Sequence, residues 1–205
     1  ELVLATDPDC DRVGAAVRRG EEYVLLSGNQ MGVLLLDFLC RRRREQGTMP
    51  AHGVAVKTIV TTPMAERVAA AYGVELIETL TGFKYIGEQI GRLESRGEEE
   101  RYIFGFEESY GYLSMTGVRD KDAVTASLLI CEMFVWYREQ GMSLADALEA
   151  LYRKYGFYEE KLLSFSFPGA EGFRRMGEKM ERLRRAPPRD VAGMAVEAVK
   201  DYAGG

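Results

Sequence analysis

The chain predicts an α/β domain built around a mostly parallel sheet. Three observations carry this prediction. Short apolar runs at 54–60, 74–77 and 102–106 read as strands. Stretches of helical periodicity at 30–44, 63–72, 83–96 and 122–140 alternate with them. The turns between them carry the Gly, Pro, Thr and Asp that end one element and start the next. Strands alternating with helices place the helices on the faces of a parallel sheet.

Each element has a local reason. The run Leu2 to Ala5 reads as a buried strand, broken by Pro8. Residues 13–18 and 22–26 flank Arg19-Gly20 as a hairpin. Ser27-Gly28-Asn29 offers an N-cap for a helix over 30–44, with Met31, Leu34, Leu35, Phe38 and Leu39 on one face. The run Arg41 to Arg44 falls at that helix's C-terminus, where the dipole favours cations, and reads as a solvated end rather than a nucleic-acid patch. Pro63 suits the first turn of helix 63–72, and Gly73 ends it. Residues 79–84 form a turn that opens helix 83–96, and 97–101 an acidic loop. The strand 102–106 runs into Glu107 to Tyr112. Helices at 122–140 and 143–155, a strand at 159–167 and a helix at 170–185 precede the stiff break Pro187-Pro188.

Composition narrows the function classes. The 205 residues are 46% hydrophobic and 29% charged, which is ordinary for a globular chain. A net charge of −5 argues against nucleic acid as the main partner. No apolar run approaches the roughly 20 residues that span a bilayer. The opening residues do not read as a secretory leader, and the odd set Cys10, Cys40 and Cys131 has no metal-type spacing. The expectation is a cytoplasmic protein with no membrane partner. The single histidine, His52, rules out a histidine triad or a multi-histidine metal site within these residues, and it reads as a surface loop residue. Both ends read as cut, so the expectation is a fragment.

The chemistry gathers at strand ends. Asp7, Asp9 and Asp11 follow the first strand at alternate positions, which in an extended segment point the same way. Three carboxylates packed together repel unless a cation holds them, and hard oxygen ligands favour Mg²⁺, Mn²⁺ or Ca²⁺ over zinc or copper. An EF-hand is excluded, because Arg12 and Arg18 stand where its Gly and Glu belong. A solvated acidic turn is the plainer alternative; the strand before the loop and Arg12 after it favour a site. Glu107 and Ser109 also follow a strand, where α/β proteins place ligands, and suit sugar hydroxyls. A polar loop is the competing reading there. In Arg119-Asp120-Lys121-Asp122, one aspartate suits a helix cap, while Arg119 and Lys121 suit phosphate or proton transfer. Thr81-Gly82-Phe83-Lys84 opens a helix whose N-terminus suits an anion, although turn chemistry explains the glycine equally well.

Taken together, these segments resemble the α-D-phosphohexomutase superfamily, the phosphoglucomutases and phosphomannomutases, in its bacterial form. The resemblance rests on Thr6 to Arg12, Lys57 to Thr62, Thr79 to Gly87, Gly105 to Gly111 and Arg119 to Asp122, in that order, over roughly the first 150 residues. It implies a three-layer α/β/α sandwich with a mixed, mostly parallel sheet. It implies residues 1–21 as the tail of a second domain, 22–158 as a third, sugar-recognition domain, and 159–205 as the start of a fourth. The implied reaction moves a phosphoryl group between the C1 and C6 oxygens of a glucose or mannose phosphate, through a phosphoserine and a hexose 1,6-bisphosphate. Asp7, Asp9 and Asp11 are then Mg²⁺ ligands, Arg12 an active-site cation and Lys121 a general acid or base. Glu107 and Ser109 grip sugar hydroxyls, and Thr81, Gly82, Lys84 and Arg119 lie toward the sugar phosphate. The implied partners are hexose phosphates and the remaining domains of the same polypeptide.

The chain departs from the pattern in two ways. The family's serine loop is missing, since Thr125-Ala126-Ser127 reads as helix, and so is the phosphate loop of the fourth domain. Without that serine the fragment is expected to be inactive. Cys10 replaces a small residue; as a buried small hydrophobe it leaves the loop intact and does not ligate a hard cation. Two other classes compete: a haloacid-dehalogenase-type phosphatase, whose aspartates also follow a strand, and a non-enzymatic sugar or Ca²⁺ binding module.

Overall fold

Two sheets organise residues 1–160. The first is antiparallel: β1 (Leu2–Thr6), β2 (Val13–Arg19) and β3 (Glu22–Leu26) pair in the order β1-β2-β3. Thr6 lies opposite Val13, so residues 7–12 close a hairpin. β1 is an edge strand, with Leu2 and Leu4 half-buried and Val3 exposed. The expectation of a buried first strand is therefore corrected: only one face of this edge meets the core. The computed structural model describes residues 1–160 and 165–202.

Helix α1 (Gly28–Glu45) follows, capped by a reciprocal pair in which the Ser27 hydroxyl accepts from the Gln30 amide and the Gln30 side chain accepts from the Ser27 amide. Then come β4 (Val54–Thr58), α2 (Met64–Tyr72), β5 (Glu75–Thr79), α3 (Phe83–Glu94), β6 (Tyr102–Glu107) and β7 (Gly111–Leu113). The second sheet has the order β5-β4-β6-β7. β4 is parallel to β5 and β6, and β7 turns back antiparallel to β6. Helices α4 (Ala123–Glu139) and α5 (Leu144–Tyr155) complete the unit.

The layers follow from strand alternation. Val54 and Val56 pack with Phe83, Ile86, Ile90 and Leu93 of α3 on one face. Ala55, Phe104 and Phe106 face a larger core with α1, α2, α4 and α5. This is an α/β/α sandwich on a mixed, mostly parallel sheet. β7 went unpredicted because three residues carry too little periodicity. The strand expected over 54–60 stops at Thr58, where the Thr58 and Thr61 hydroxyls pair at 2.7 Å and the Thr61 amide closes a turn on the Thr58 carbonyl.

Two glycines let α1 lie close on the sheet. A Cβ on Gly32 would stand 2.1 Å from the Phe106 ring, and one on Gly28 would stand 1.9 Å from the Glu108 carbonyl oxygen. Deeper along α1, Asp37 is fully buried yet accepts from Arg41 (3.0 Å), Tyr72 (2.9 Å) and Tyr155 (3.1 Å). Burial, reinforced by the Asp37 charge, pushes Tyr72 and Tyr137 up to about 12. The run Arg41 to Arg44 is only in part the solvated helix end expected: Arg42 pairs with Glu45, but Arg41 is half-buried on Asp37 and both lie over the Trp136 ring.

The second compact unit, 161–205, holds α6 (Gly169–Arg185) and a two-residue hairpin, β8 (Asp190–Val191) with β9 (Met194–Ala195). The strand expected over 159–167 falls partly on 161–164, outside the described residues; 159–160 and 165–167 are not strand. Among the described residues no helix is long and apolar enough to cross a membrane.

The α1–β6 contact gives a direct test. Gly32→Ala gains helix propensity but drives a methyl into a fully buried ring. Urea unfolding should show a loss of about 1–3 kcal/mol, the ordinary range for overpacking.

Candidate functional site

The acidic loop is a tight turn rather than an extended run. Asp7 Oδ1 accepts from the backbone amides of Asp11 (3.2 Å) and Arg12 (3.1 Å), and the Cys10 amide donates to the Asp7 carbonyl at 3.0 Å. Cys10 adopts φ 58°. The turn, not strand alternation, brings one carboxylate oxygen from each of Asp7, Asp9 and Asp11 within 4.8 Å of one another. Cys10 is exposed, which corrects the expectation of a buried small hydrophobe: it sits at the crest of the hairpin.

Backbone hydrogen bonds stitch this loop to two others. Arg12 forms a bridge with Gly111, and the Val13 amide donates to the Tyr110 carbonyl at 3.2 Å. The Ala123 amide donates to the Cys10 carbonyl at 3.2 Å. The β6–β7 turn and the start of α4 are thereby fixed against the acidic loop. In that turn Glu107 is 5% exposed, and its Oε1 accepts from the Gly82 amide at 3.0 Å. Gly82 begins α3 at φ 123°, a backbone that side chains rarely tolerate.

Lys121 bridges the carboxylates of Asp11 and Asp120. Its ammonium donates to Asp11 Oδ2 at 2.7 Å and Asp120 Oδ1 at 3.3 Å, and stands 5.8 Å from the Phe83 ring centroid. Its stem crosses Gly111, where a Cβ would stand 2.7 Å from Lys121 Cδ and 3.5 Å from Glu107 Oε2. Arg12 Nε lies 3.7 Å from Asp11 Oδ1 and 4.0 Å from Asp7 Oδ2.

These contacts set the charge states. The Arg12 amide holds Asp7 below the usual carboxylate range. Burial pushes Glu107 up; the Gly82 hydrogen bond, Lys121 and Arg12 oppose this only in part. Burial disfavours the Lys121 ammonium, but Asp11 and Asp120 outweigh it and hold Lys121 above its ordinary value. Asp11 Oδ1 is buried with no hydrogen-bond partner. A buried carboxylate oxygen with no hydrogen bond, its ion-pair partner Arg12 standing 3.7 Å away, fits a hard divalent cation among three all-oxygen donors.

The remaining predicted residues lie around this centre rather than in it. Ser109 is half-buried in the turn 108–110, and Thr81 is exposed beside Gly82. Lys84 is exposed, its ammonium 4.8 Å from the Tyr85 ring centroid. Arg119 is drawn to Glu94, at the far end of α3, and to the Thr116 carbonyl. Asp122 caps α4 by accepting from the Val124 amide at 2.9 Å, and Thr125-Ala126-Ser127 is helical. Sequence reasoning missed Asp120 as a partner of Lys121, Gly111 as the floor beneath it, and Lys57. The Lys57 ammonium is buried on Glu78 at 2.6 Å and on the Thr61 carbonyl at 3.3 Å. Gly111 stood in the segment Gly105 to Gly111 that carried the resemblance, but its place beneath Lys121 was not legible there because β7 itself was not.

Residues 27–155 match the family model described as phosphoglucomutase/phosphomannomutase, alpha/beta/alpha domain III. The chain belongs to this family. A phosphoglucomutase of Staphylococcus aureus (strain USA300) is 37% identical over 203 residues, covering 98% of this chain and 36% of that protein. This member of the family thus spans about a third of the length of the curated relatives it matches. Among solved structures, one described as a phosphomannomutase from Thermus thermophilus is 27% identical, with a TM-score of 0.58 over 76% of this chain and 31% of that one. The open form of the Paramecium phosphoglucomutase pp63/parafusin shares the fold, with a TM-score of 0.59 and 19% identity over 90% of this chain and 30% of that one. Membership in the phosphohexomutases leaves the phosphatase reading without support.

The buried Glu107 of this family member makes stability depend on pH. Its folded value is raised, so the folded state holds the proton more tightly than the unfolded state. Its contribution is full below the ordinary value of 4.5 and is lost as pH rises through the raised one. Glu107→Gln should therefore be more stable than the parent at pH 7, with the gain vanishing near pH 4. Urea midpoints at the two pH values measure this.

Proposed function

We propose that this chain is the metal-loop and sugar-recognition portion of a phosphohexomutase that interconverts hexose 1-phosphate and hexose 6-phosphate. The observation that carries this reading is Lys121, whose ammonium on Asp11 ties the acidic turn to the wall that holds Glu107. Family membership supplies the reaction class.

The proposed division of labour follows the chemistry. Asp7, Asp9 and Asp11 hold Mg²⁺, which would neutralise charge on the moving phosphoryl group. Arg12, half-exposed beside them, adds a fixed positive charge toward the same oxygens. Lys121 is held as an ammonium and suits proton donation to a departing oxygen. Glu107 and Ser109 accept and donate to sugar hydroxyls, with the Gly82 amide fixing the Glu107 carboxylate. Thr81, Gly82, Lys84 and Arg119 are assigned to the sugar phosphate; Arg119 must leave Glu94 to reach it. The donor is a phosphoserine in the rest of the polypeptide, and the reaction passes through a hexose 1,6-bisphosphate. Residues 1–21, 22–158 and 159–205 are assigned to the second, third and fourth domains, and the protein to the cytoplasm.

Two measurements test this reading. The purified 205-residue chain should convert no glucose 1-phosphate to glucose 6-phosphate in a coupled assay; turnover above background overturns its assignment as an inactive portion. Asp9 is exposed, and the carboxylate that accepts the turn's backbone amides is that of Asp7. Asp9→Asn should therefore weaken Mn²⁺ binding by about tenfold, while leaving the metal-free melting temperature unchanged.

A further inference from the structure

The Lys121 side chain is 12% exposed, and its 2.7 Å contact with Asp11 Oδ2 is shorter than its 3.3 Å contact with Asp120. Asp120, the neighbouring carboxylate in sequence, is largely exposed. The stem passes close over Gly111, where an added Cβ would stand 2.7 Å from Lys121 Cδ and force the stem to shift. Three carboxylates gathered within 4.8 Å need positive charge to stay together. Arg12 supplies some of it, but at 3.7–4.0 Å. Among the described residues, the closest cation to the triad is the ammonium of Lys121.

We propose that Lys121 is the resident counter-ion of the acidic triad, in direct competition with the divalent cation for Asp11, and that Gly111 is the positioning residue that lets it serve. The inference rests on reading Asp7, Asp9 and Asp11 as a cation site. A cation entering the triad meets a unit positive charge already seated on one of its ligands. Either the ammonium leaves Asp11 or both charges share one carboxylate at a cost. When it leaves, the near wall offers the Glu107 carboxylate, on the same side of Gly111. In that case metal loading and the release of Lys121 toward Glu107 are one event.

The opposite role predicts the opposite sign. Were Lys121 only a strut for the turn, removing it would loosen the three ligands and weaken binding. The test is Mn²⁺ titration of the 205-residue chain followed by electron paramagnetic resonance of the free ion. Lys121→Met keeps the apolar stem and removes the charge. It should bind Mn²⁺ about fivefold tighter than the parent, the order expected for removing one partly exposed competing charge. Lys121→Arg keeps the charge and should restore parental affinity. Gly111→Ala displaces the stem and should shift affinity in the same direction as Lys121→Met. Equal or weaker binding by Lys121→Met, with the parent binding normally, overturns the inference and leaves the cation site standing. If neither parent nor Lys121→Met binds Mn²⁺, the cation-site reading falls and this inference with it.

Discussion

The close approach of α1 to β6 is the constraint on which the site depends. Gly28 and Gly32 stand one turn apart on the helix, and at both positions a methyl group would collide with the strand or its turn. Gly32 admits the Phe106 ring, and Gly28 admits the backbone of Glu108 and Tyr110. The turn that carries Glu107 is thus pressed between the first residues of α1 on one side and Arg12 and Val13 on the other. The acidic hairpin is fastened to this wall of the site by backbone hydrogen bonds, and the Lys121 side chain adds its contact with Asp11.

Buried charge is handled differently in the core and at the site. Asp37 is surrounded by three donors, and Lys57 by a carboxylate and a carbonyl. Each charge is satisfied where it lies, as a buried charge must be to persist. At the site the balance is left incomplete. Asp11 Oδ1 has no hydrogen-bond partner, and burial lifts Glu107 despite its hydrogen bond. Groups held away from their preferred state are what a reacting or binding site requires.

Much of this was legible in the sequence. The break after the first strand was marked by Pro8 and helix starts by Ser27 and Pro63, because caps and turns are local chemistry, whereas the ends of the strands at Thr58 and Thr79 were not. Asp7, Asp9, Asp11 and Glu107 were legible in the sequence as candidates, because each stands at or just past the end of an apolar strand. The hairpin geometry that gathers the aspartates was not legible. It depends on Thr6 pairing with Val13 and on the left-handed backbone at Cys10, which no alternation rule predicts. Arg119 looked equivalent to Lys121 in sequence, yet Glu94 draws one away while Asp11 holds the other.

The sequence by itself determined the alternation of strands and helices from α1 to β6, the placing of helices on a mostly parallel sheet, and the residue types able to bind a hard cation and a sugar phosphate. Periodicity, capping and ligand hardness are properties of neighbours along the chain, so they survive without coordinates. The tertiary structure alone decided which of these residues meet. Lys121 reaches Asp11 across Gly111, and Glu107 reaches Gly82, over separations of 110 and 25 residues. Contacts of that kind depend on how closely α1 and β6 pack, and steric fit between distant segments is not written in any local pattern.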